Sequence, residues 1–558
     1  MEKPWFASYD PGVPRSITYP EVPLVYFLTR AAERFPTKPA LIYYGRSISY
    51  QGLNTLTNRF ANALLVNGVK KEDRVALMLP NIPQAVIGYY GTLKAGAIAV
   101  EVNPLSAGRE LEQQLSDAGV ETIVILDRFF PKVQNLRTPM KRIIVTGAQD
   151  FLPFLLRLLY PLKAGKEGRV QVPTAPPLCR FLPFLKQGDA SSPPVQLRSE
   201  DVAMLQYTGG TTGIPKGVML THRNLVANVF QARHWFPDLK EGEEVMLAAL
   251  PFFHVYGMTV CMNLGILLAS TLVLVPQPRL TEEVLKAAHK HRVTLFPGVP
   301  AMYAAINNHP DVSRYDLKSI KVCVSGAGPL HPRIQERFEA LTGGRLVEGY
   351  GLSEASPVTH CNPALGKRKV GSIGLPLPDT DARIVDMETG EKELPVGEAG
   401  ELIIRGPQVM KGYWKNPEEE TKTLRNGWLY TGDIARMDEE GFFYIVDRKK
   451  EMIKTFGENV YPREVEDVLF RHPKIKEAAV VGIPYRHAGE IIKAYVVLKE
   501  GETATEEEII AFCEGELAKF KVPRKVEFRQ ELPKTLVGKV LRRVLKEEEL
   551  KRRETLGA

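Results

Sequence analysis

Residues 207–217 read Tyr-Thr-Gly-Gly-Thr-Thr-Gly-Ile-Pro-Lys-Gly. Four glycines and three threonines in eleven residues make a loop rich in unobstructed backbone N–H groups and hydroxyls, and Lys216 adds a neutralising charge. Such a loop suits polyphosphate oxygens, because successive N–H groups can point into one concavity while a cation offsets the anion. It is not a Walker loop, since Pro215 precedes the lysine and Gly217 stands where a serine or threonine would follow. A second segment, Glu348-Gly349-Tyr350-Gly351-Leu352-Ser353-Glu354, sets a hydroxyl beside a carboxylate, the oxygen donors that a hard divalent cation takes. Ser325-Gly326-Ala327-Gly328-Pro329 lacks bulk and allows close backbone approach to a ligand.

These segments occur in one order with Tyr430-Thr431-Gly432-Asp433, Asp447-Arg448-Lys449-Lys450 and Pro533-Lys534-Thr535-Leu536-Val537-Gly538-Lys539. In that order the chain resembles the adenylate-forming superfamily of acyl-CoA synthetases, firefly-type luciferases and nonribosomal peptide adenylation domains, over about residues 20–545. Segments 206–222, 251–257, 346–360 and 407–414 most resemble long-chain fatty-acid:CoA ligases of bacterial type. The resemblance implies ATP, Mg²⁺ and coenzyme A as cofactors or co-substrates. It assigns the phosphate grip to Thr208, Gly209, Gly210, Thr211, Thr212, Gly213 and Lys216, and the adenine pocket to Gly326, Ala327 and Gly328. Within Glu348, Gly349, Tyr350 and Gly351, the resemblance implies that the tyrosine stacks on adenine, that Ser353 contacts the α-phosphate, and that Glu354 binds Mg²⁺ with Thr208 as a further ligand. By the same resemblance Asp433 and Arg448 would hold the ribose, and Lys539 would reach the carboxylate and α-phosphate. Lys450 matches the hinge position, and Gly457 lies in a turn that resembles the loop used in thioester formation. His254 resembles the position that screens the carboxylate between half-reactions. Ser353 replaces the commoner threonine, Leu536-Val537 replaces a small polar pair, and Met258 stands where some relatives carry a tryptophan gate. Lys454 aligns with a lysine that some relatives use in the second half and others lack.

The implied reaction has two halves: a fatty carboxylate displaces pyrophosphate from ATP, then the thiol of coenzyme A displaces AMP from the acyl-adenylate. A carboxylate with a pKa of about 4 to 5 is already ionised at neutral pH, so the first half needs charge neutralisation rather than a general base. The alternative acceptor is a carrier protein in place of coenzyme A. Medium- to long-chain acids are the expected substrates.

The elements that must position these residues alternate. Apolar spacing predicts helices at 24–31, 53–64 and 84–94, a hairpin over 40–50 about Gly45-Arg46, and buried strands at 75–79 and 98–102. That pattern is an α/β body with layered, substantially parallel sheets. From Arg448 onward, strands at 478–483, 493–498 and 526–528 and a helix at 505–517 predict a small mobile α+β domain, giving domains 1–447 and 448–558. Residues 546–554 read as a solvated tail helix.

At 558 residues, with 44% apolar and 25% charged, the chain holds several cores and is neither disordered nor collagen-like. Cysteines 179, 261, 323, 361 and 513 are too scattered for a zinc or dithiol motif, and no secretory signal opens the chain, so a cytoplasmic protein is expected. The net charge of +8 concentrates in 519–554, where 13 Lys/Arg face 6 Asp/Glu. That suits phosphates or anionic lipid, while no nucleic-acid-binding pattern is present. Residues 257–275 carry no charge, yet helical spacing followed by a β-rich run ended by Pro276 predicts a buried helix feeding a central strand. The proline-rich stretch 151–200 reads as a surface connection containing Phe-Leu-Pro-Phe-Leu twice, at 151–155 and 181–185. Packing beneath the loop is one outcome for these pentapeptides, and peripheral contact with the inner face of the cell membrane is the other. A homodimer is also compatible.

Overall fold

A computed structural model describes residues 3–106, 108–163, 176–208, 215–455, 458–485, 489–534 and 540–556. The chain divides into two compact units. The larger is Trp5–Asp381 with Arg405–Leu429, and the smaller is Met1–Pro4, Ala382–Ile404 and Tyr430–Ala558.

In the larger unit an eight-stranded sheet runs in the order Gly412–Tyr413, Lys216–Thr221, Val202–Thr208, Ile98–Glu101, Arg74–Met78, Thr122–Leu126, Arg142–Thr146, Leu178–Arg180. From Val202–Thr208 onward all neighbours are parallel, and the two strands at the other edge are antiparallel. Ile98–Glu101, Thr122–Leu126 and the helix Pro83–Lys94 are buried throughout, as elements of a covered parallel sheet must be. The helix Tyr50–Val66 begins where the Ser49 hydroxyl accepts from the Gly52 N–H at 3.1 Å, and ends before Gly68, which has φ +81°. The preceding hairpin turns one residue earlier than expected, at Tyr44-Gly45, where φ is +47° and +90°.

The uncharged run 257–275 forms a π-helix over Gly257–Asn263, a short α-helix over Leu264–Leu267 and the strand Thr271–Leu274. That strand lies between Val245–Ala248 and Pro39–Tyr43, parallel to both, so the run is core. Among the described residues no helix is long and apolar enough to cross a membrane.

The two pentapeptides diverge. Phe181 and Phe184 are buried against Phe60, with ring centroids 5.5 and 5.7 Å away, and Phe151 meets Phe181 at 6.5 Å. Phe154 instead opens the helix Phe154–Lys163 and faces outward. Only the first pentapeptide has an exposed half.

In the smaller unit a sheet runs Glu458–Val460, Ile453–Thr455, Gly489–Leu498, Ile475–Tyr485, with Lys525–Phe528 parallel to Gly489–Leu498. Its residues alternate between two cores. Ala478, Val480 and Val496 pack with the helices Pro462–Leu469 and Glu506–Glu514, and Ala479, Val481 and Val497 pack with Leu545. The expected solvated tail helix holds at the exposed positions 547, 548, 551 and 552 and is corrected at Glu549. Arg542–Leu556 buries Leu545 and Glu549, and Glu549 accepts from Lys493 Nζ at 2.7 Å.

Candidate active site

In the larger unit the loop 209–214 joins the ends of Val202–Thr208 and Lys216–Thr221, which pair so that Thr208 stands opposite Lys216. Thr208 and Lys216 are described; Gly209, Gly210, Thr211, Thr212 and Gly213 lie outside the described residues. Tyr207 braces the strand end through its hydroxyl, which donates to Asp117 Oδ2 at 2.5 Å. Gly217 has to be small, because a Cβ there would come within 3.0 Å of the Tyr207 ring and 3.2 Å of Trp414 Cβ.

Lys216 forms a close ion pair with Glu419 and lies 5.7 Å from the centre of the Tyr413 ring. Tyr413 reaches this place because Gly412–Tyr413 adds to the edge of Lys216–Thr221 with Tyr413 opposite Val218. The helix Pro417–Thr423, capped by Asn416 Oδ1 accepting from the Glu419 N–H at 3.2 Å, carries the glutamate. The Tyr413 hydroxyl donates to Glu354 Oε1 at 2.9 Å. Desolvation and the nearby Glu354 push the Tyr413 phenol far above its usual range, so it remains a proton donor. One lysine, one tyrosine and two carboxylates thus form a chain, Glu419–Lys216–Tyr413–Glu354. Tyr413 and Glu419 were missing from the sequence assignment, although 407–414 was recognised as similar to the family. Glu419 carries no motif signal of its own.

Glu354 sits in a one-turn 3₁₀ helix, Ser353–Ala355, that follows the strand Arg345–Gly351. This strand runs parallel to Val322–Ser325, which places Glu348 opposite Ser325 and both glycine-rich segments at the same end of the sheet. Gly351 cannot carry a side chain, since a Cβ would collide with the Pro357 carbonyl. A Cβ on Gly326 would come within 3.0 Å of the Tyr256 ring, Ala327 is left-handed at φ +65°, and only Pro300 approaches Gly328, at 3.9 Å. Glu348 Oε2 accepts from the Leu330 N–H at 3.3 Å, so this carboxylate braces the loop after Gly328. Gly349 packs on Val324, and the half-buried Tyr350 meets His360 edge-on with centroids 5.9 Å apart.

His254 Nδ1 accepts from the Tyr256 N–H at 3.2 Å, and the Tyr256 hydroxyl donates to the Val324 carbonyl at 2.8 Å. Desolvation lowers His254 to about 4, so its ring is neutral at physiological pH although one edge reaches solvent. The described geometry ties His254 to the Gly326 loop through Tyr256.

In the smaller unit Asp433 and Arg448 face each other across Trp428–Met437 and Phe443–Arg448, with Arg448 Nε 3.1 Å from Asp433 Oδ1. Lys449 pairs with Glu401 at 2.7 Å, and Lys450 is exposed in the following turn. Asp447 is buried; its carboxylate accepts from the N–H groups of Arg448 and Arg463 at 2.7 and 2.8 Å. Gly457 and Lys539 lie outside the described residues. Among the described residues no group of three or more His, Cys, Asp or Glu side chains could hold a metal ion by itself.

Lys216 at a strand end, a glycine-lined strand end and the Glu354 carboxylate are the arrangement expected of a nucleotide-activating site. Two family profiles agree with it: AMP-binding enzyme matches residues 28–414, and AMP-binding enzyme C-terminal domain matches 464–539. The chain belongs to the AMP-binding enzyme family. It is 49% identical to the long-chain-fatty-acid–CoA ligase of Bacillus subtilis (strain 168), over 98% of each chain. Among solved structures it is similar to an anthranilate CoA ligase in complex with anthranoyl-AMP, with a TM-score of 0.83 and 27% identity over 95% of this chain and 97% of that one. An ATP-bound enzyme from Rhodopseudomonas palustris gives 0.80 and 29%, covering 94% of this chain and 98% of the other.

Proposed function

We propose that this chain is a cytoplasmic long-chain fatty-acid:CoA ligase that forms acyl-AMP and pyrophosphate, then acyl-CoA and AMP. The observation that carries the reading is the 49% identity, along nearly the whole of both chains, to a relative of that name. The site supplies what such chemistry demands. In the first half a carboxylate oxygen bonds to the α-phosphorus as the bond to the pyrophosphate oxygen breaks, and the barrier is mainly repulsion between anions. Lys216 offsets that charge at the mouth of the loop, and Lys539 does so at the reacting carboxylate by family resemblance. Neutral His254 screens the carboxylate without adding a charge.

A carboxylate and a hydroxyl are donors that fit Mg²⁺, so Glu354, with Thr208 as a further ligand by resemblance, would hold the ion. Bound there, the ion supplies neutralisation of the departing pyrophosphate. Tyr413 orients the carboxylate by its hydrogen bond. Tyr350 offers a half-buried ring to the adenine, Ser353 a hydroxyl to the α-phosphate, and Asp433 with Arg448 an acceptor and a donor to the ribose hydroxyls.

In the second half the thiol sulfur of coenzyme A bonds to the acyl carbon and AMP leaves. We assign the change between halves to rotation of 448–558 relative to 1–447 about Lys450. Lys450→Pro should slow thioester formation more than adenylation in single-turnover assays; equal loss in both would count against the hinge. The function itself is tested by AMP formation from carboxylic acids of two to eighteen carbons, with and without coenzyme A. The expected result is a maximum among the longer acids and dependence on coenzyme A. Turnover that needs a carrier protein instead would replace the acceptor, and inertness toward every acid would end the reading.

A further inference from the structure

The helix Phe154–Lys163, sequence Phe-Leu-Leu-Arg-Leu-Leu-Tyr-Pro-Leu-Lys, leaves apolar side chains of its first six residues in water. Phe154 is 73% exposed, Leu155 71%, Leu158 60% and Leu159 55%. At 100° per residue these four occupy one continuous arc of about 140°. Tyr160 falls on the opposite side and is half-buried toward Tyr43, Tyr44 and Asp127, so the helix is seated on the body with its greasy face outward. An outward apolar face of this density on a folded body marks a binding surface.

Its rim is cationic. Arg157 is exposed on the helix itself, which contains no acidic residue. Arg46, at the tip of the adjoining hairpin, lies over the Phe151 ring at 5.4 Å, and exposed Arg128 neighbours Tyr160. Tyr44, exposed on the same hairpin tip, adds an aromatic ring with a polar end, a side chain suited to a headgroup layer. Three acids lie on this side: Asp127 beside Arg128 and Arg180, Asp150 near it, and Glu283, which accepts from the Tyr44 hydroxyl at 3.5 Å. The helix has ten residues where about 20 are needed to span a bilayer.

We propose that Phe154–Lys163 is an interfacial helix that docks the enzyme on an anionic lipid surface. Phe154, Leu155, Leu158 and Leu159 enter the acyl boundary, and Arg157, Arg46 and Arg128 meet the headgroups. A bilayer matches both halves of the pattern, being apolar beneath and anionic above. This deepens the ligase reading and rests on it, because an acid with a long chain partitions into membranes and a docked enzyme meets it there. The second pentapeptide takes no part, since Phe181 and Phe184 are core.

The test is flotation of the full chain with vesicles of phosphatidylcholine alone and with one-quarter phosphatidylglycerol. The wild-type chain should float with the anionic vesicles and detach as salt rises. The fourfold variant Phe154→Ser, Leu155→Ser, Leu158→Ser, Leu159→Ser should lose about tenfold in partitioning. Its melting temperature and its turnover of dissolved octanoate should be unchanged, and its turnover of vesicle-borne palmitate should fall. Absence of wild-type binding to either vesicle, or equal binding by the variant, overturns the proposal. A dimer by sedimentation that the variant dissolves also overturns it, assigning the face to a second copy. Octanoate activation without vesicle binding sinks the docking alone, whereas vesicle binding with no acid activated sinks the ligase reading alone.

Discussion

Two cations in this molecule are held in opposite ways. Lys216, at a strand end beside the glycine-threonine loop, has one carboxylate partner, Glu419, and the face of Tyr413. Arg542, at the start of the last helix, bridges Glu466, Glu451 and Asp447; two of its nitrogens engage Glu466, at 2.9 and 2.5 Å. These carboxylates hold Arg542 charged, raising it far above its ordinary range despite the desolvation that opposes them. A cation with one replaceable partner can trade it for phosphate. One with three mostly buried partners cannot leave without stranding their charges. The first arrangement suits a ligand site and the second suits a fixed joint.

The sharpest way to break the contrast is Arg542→Met. It should destabilise the smaller unit by about 3–5 kcal/mol, seen as a lower urea midpoint, because three acids lose their shared counter-ion. An unchanged midpoint would mean that the cluster is no joint. Glu354→Gln should leave that midpoint alone and lower pyrophosphate exchange by about 10²–10³-fold, as expected for one lost element of charge stabilisation. Exchange at the wild-type rate would remove Glu354 from the site.

Acid separates the two clusters by another route. Buried His222 accepts from the Leu24 N–H through Nδ1 at 3.2 Å, and desolvation lowers it to about 4. An unfolded histidine takes its proton near pH 6.5 while the folded one resists until near 4. Stability is therefore complete above pH 6.5 and is lost as the pH falls toward 4, by about 3 kcal/mol for this group. The larger unit should show that slope in urea titrations and His222→Gln should remove this group's share of it, leaving the shares of His254 and His360, which burial lowers to about 4 and about 3, whereas the Arg542 cluster contains no histidine. The smallest effect is reserved for Glu419→Gln. Stability should change by no more than about 1 kcal/mol, the worth of a partly exposed pair. The KM for ATP should fall several-fold as Lys216 loses its competing anion; a rise would make Glu419 a positioning residue instead.

The parallel core was legible because buried strands and helices write their periods locally: 75–79, 84–94 and 98–102 were placed within a residue or two. The repeated Phe-Leu-Pro-Phe-Leu shows the limit. Identical letters give a core wedge at 181–185 and a half-exposed one at 151–155, because Phe60, more than a hundred residues upstream of the second copy, decides which rings find a partner. The tail helix shows the same limit at single positions. Lys546 and Glu549 look like solvated surface in sequence, and only the fold brings Glu490 and Lys493 against them. Within the candidate site, Thr208, Lys216, Ser353 and Glu354 stand in motifs that carry the family resemblance. Glu419 does not, since nothing local distinguishes it from its neighbours Glu418 and Glu420. The uniform greasiness of 258–268 likewise announces a helix and conceals its pitch.

That pitch has a use of its own. A π-turn is the form in which a helix accommodates one surplus residue without disturbing what flanks it. Over Gly257–Asn263, trimming a single position would rewind the segment to ordinary α geometry and swing Met258 and its neighbours by about 100°. The strand that follows would stay where it is. Met258, which stands where some relatives carry a tryptophan gate, can thus be re-aimed by shortening the segment as well as by substitution.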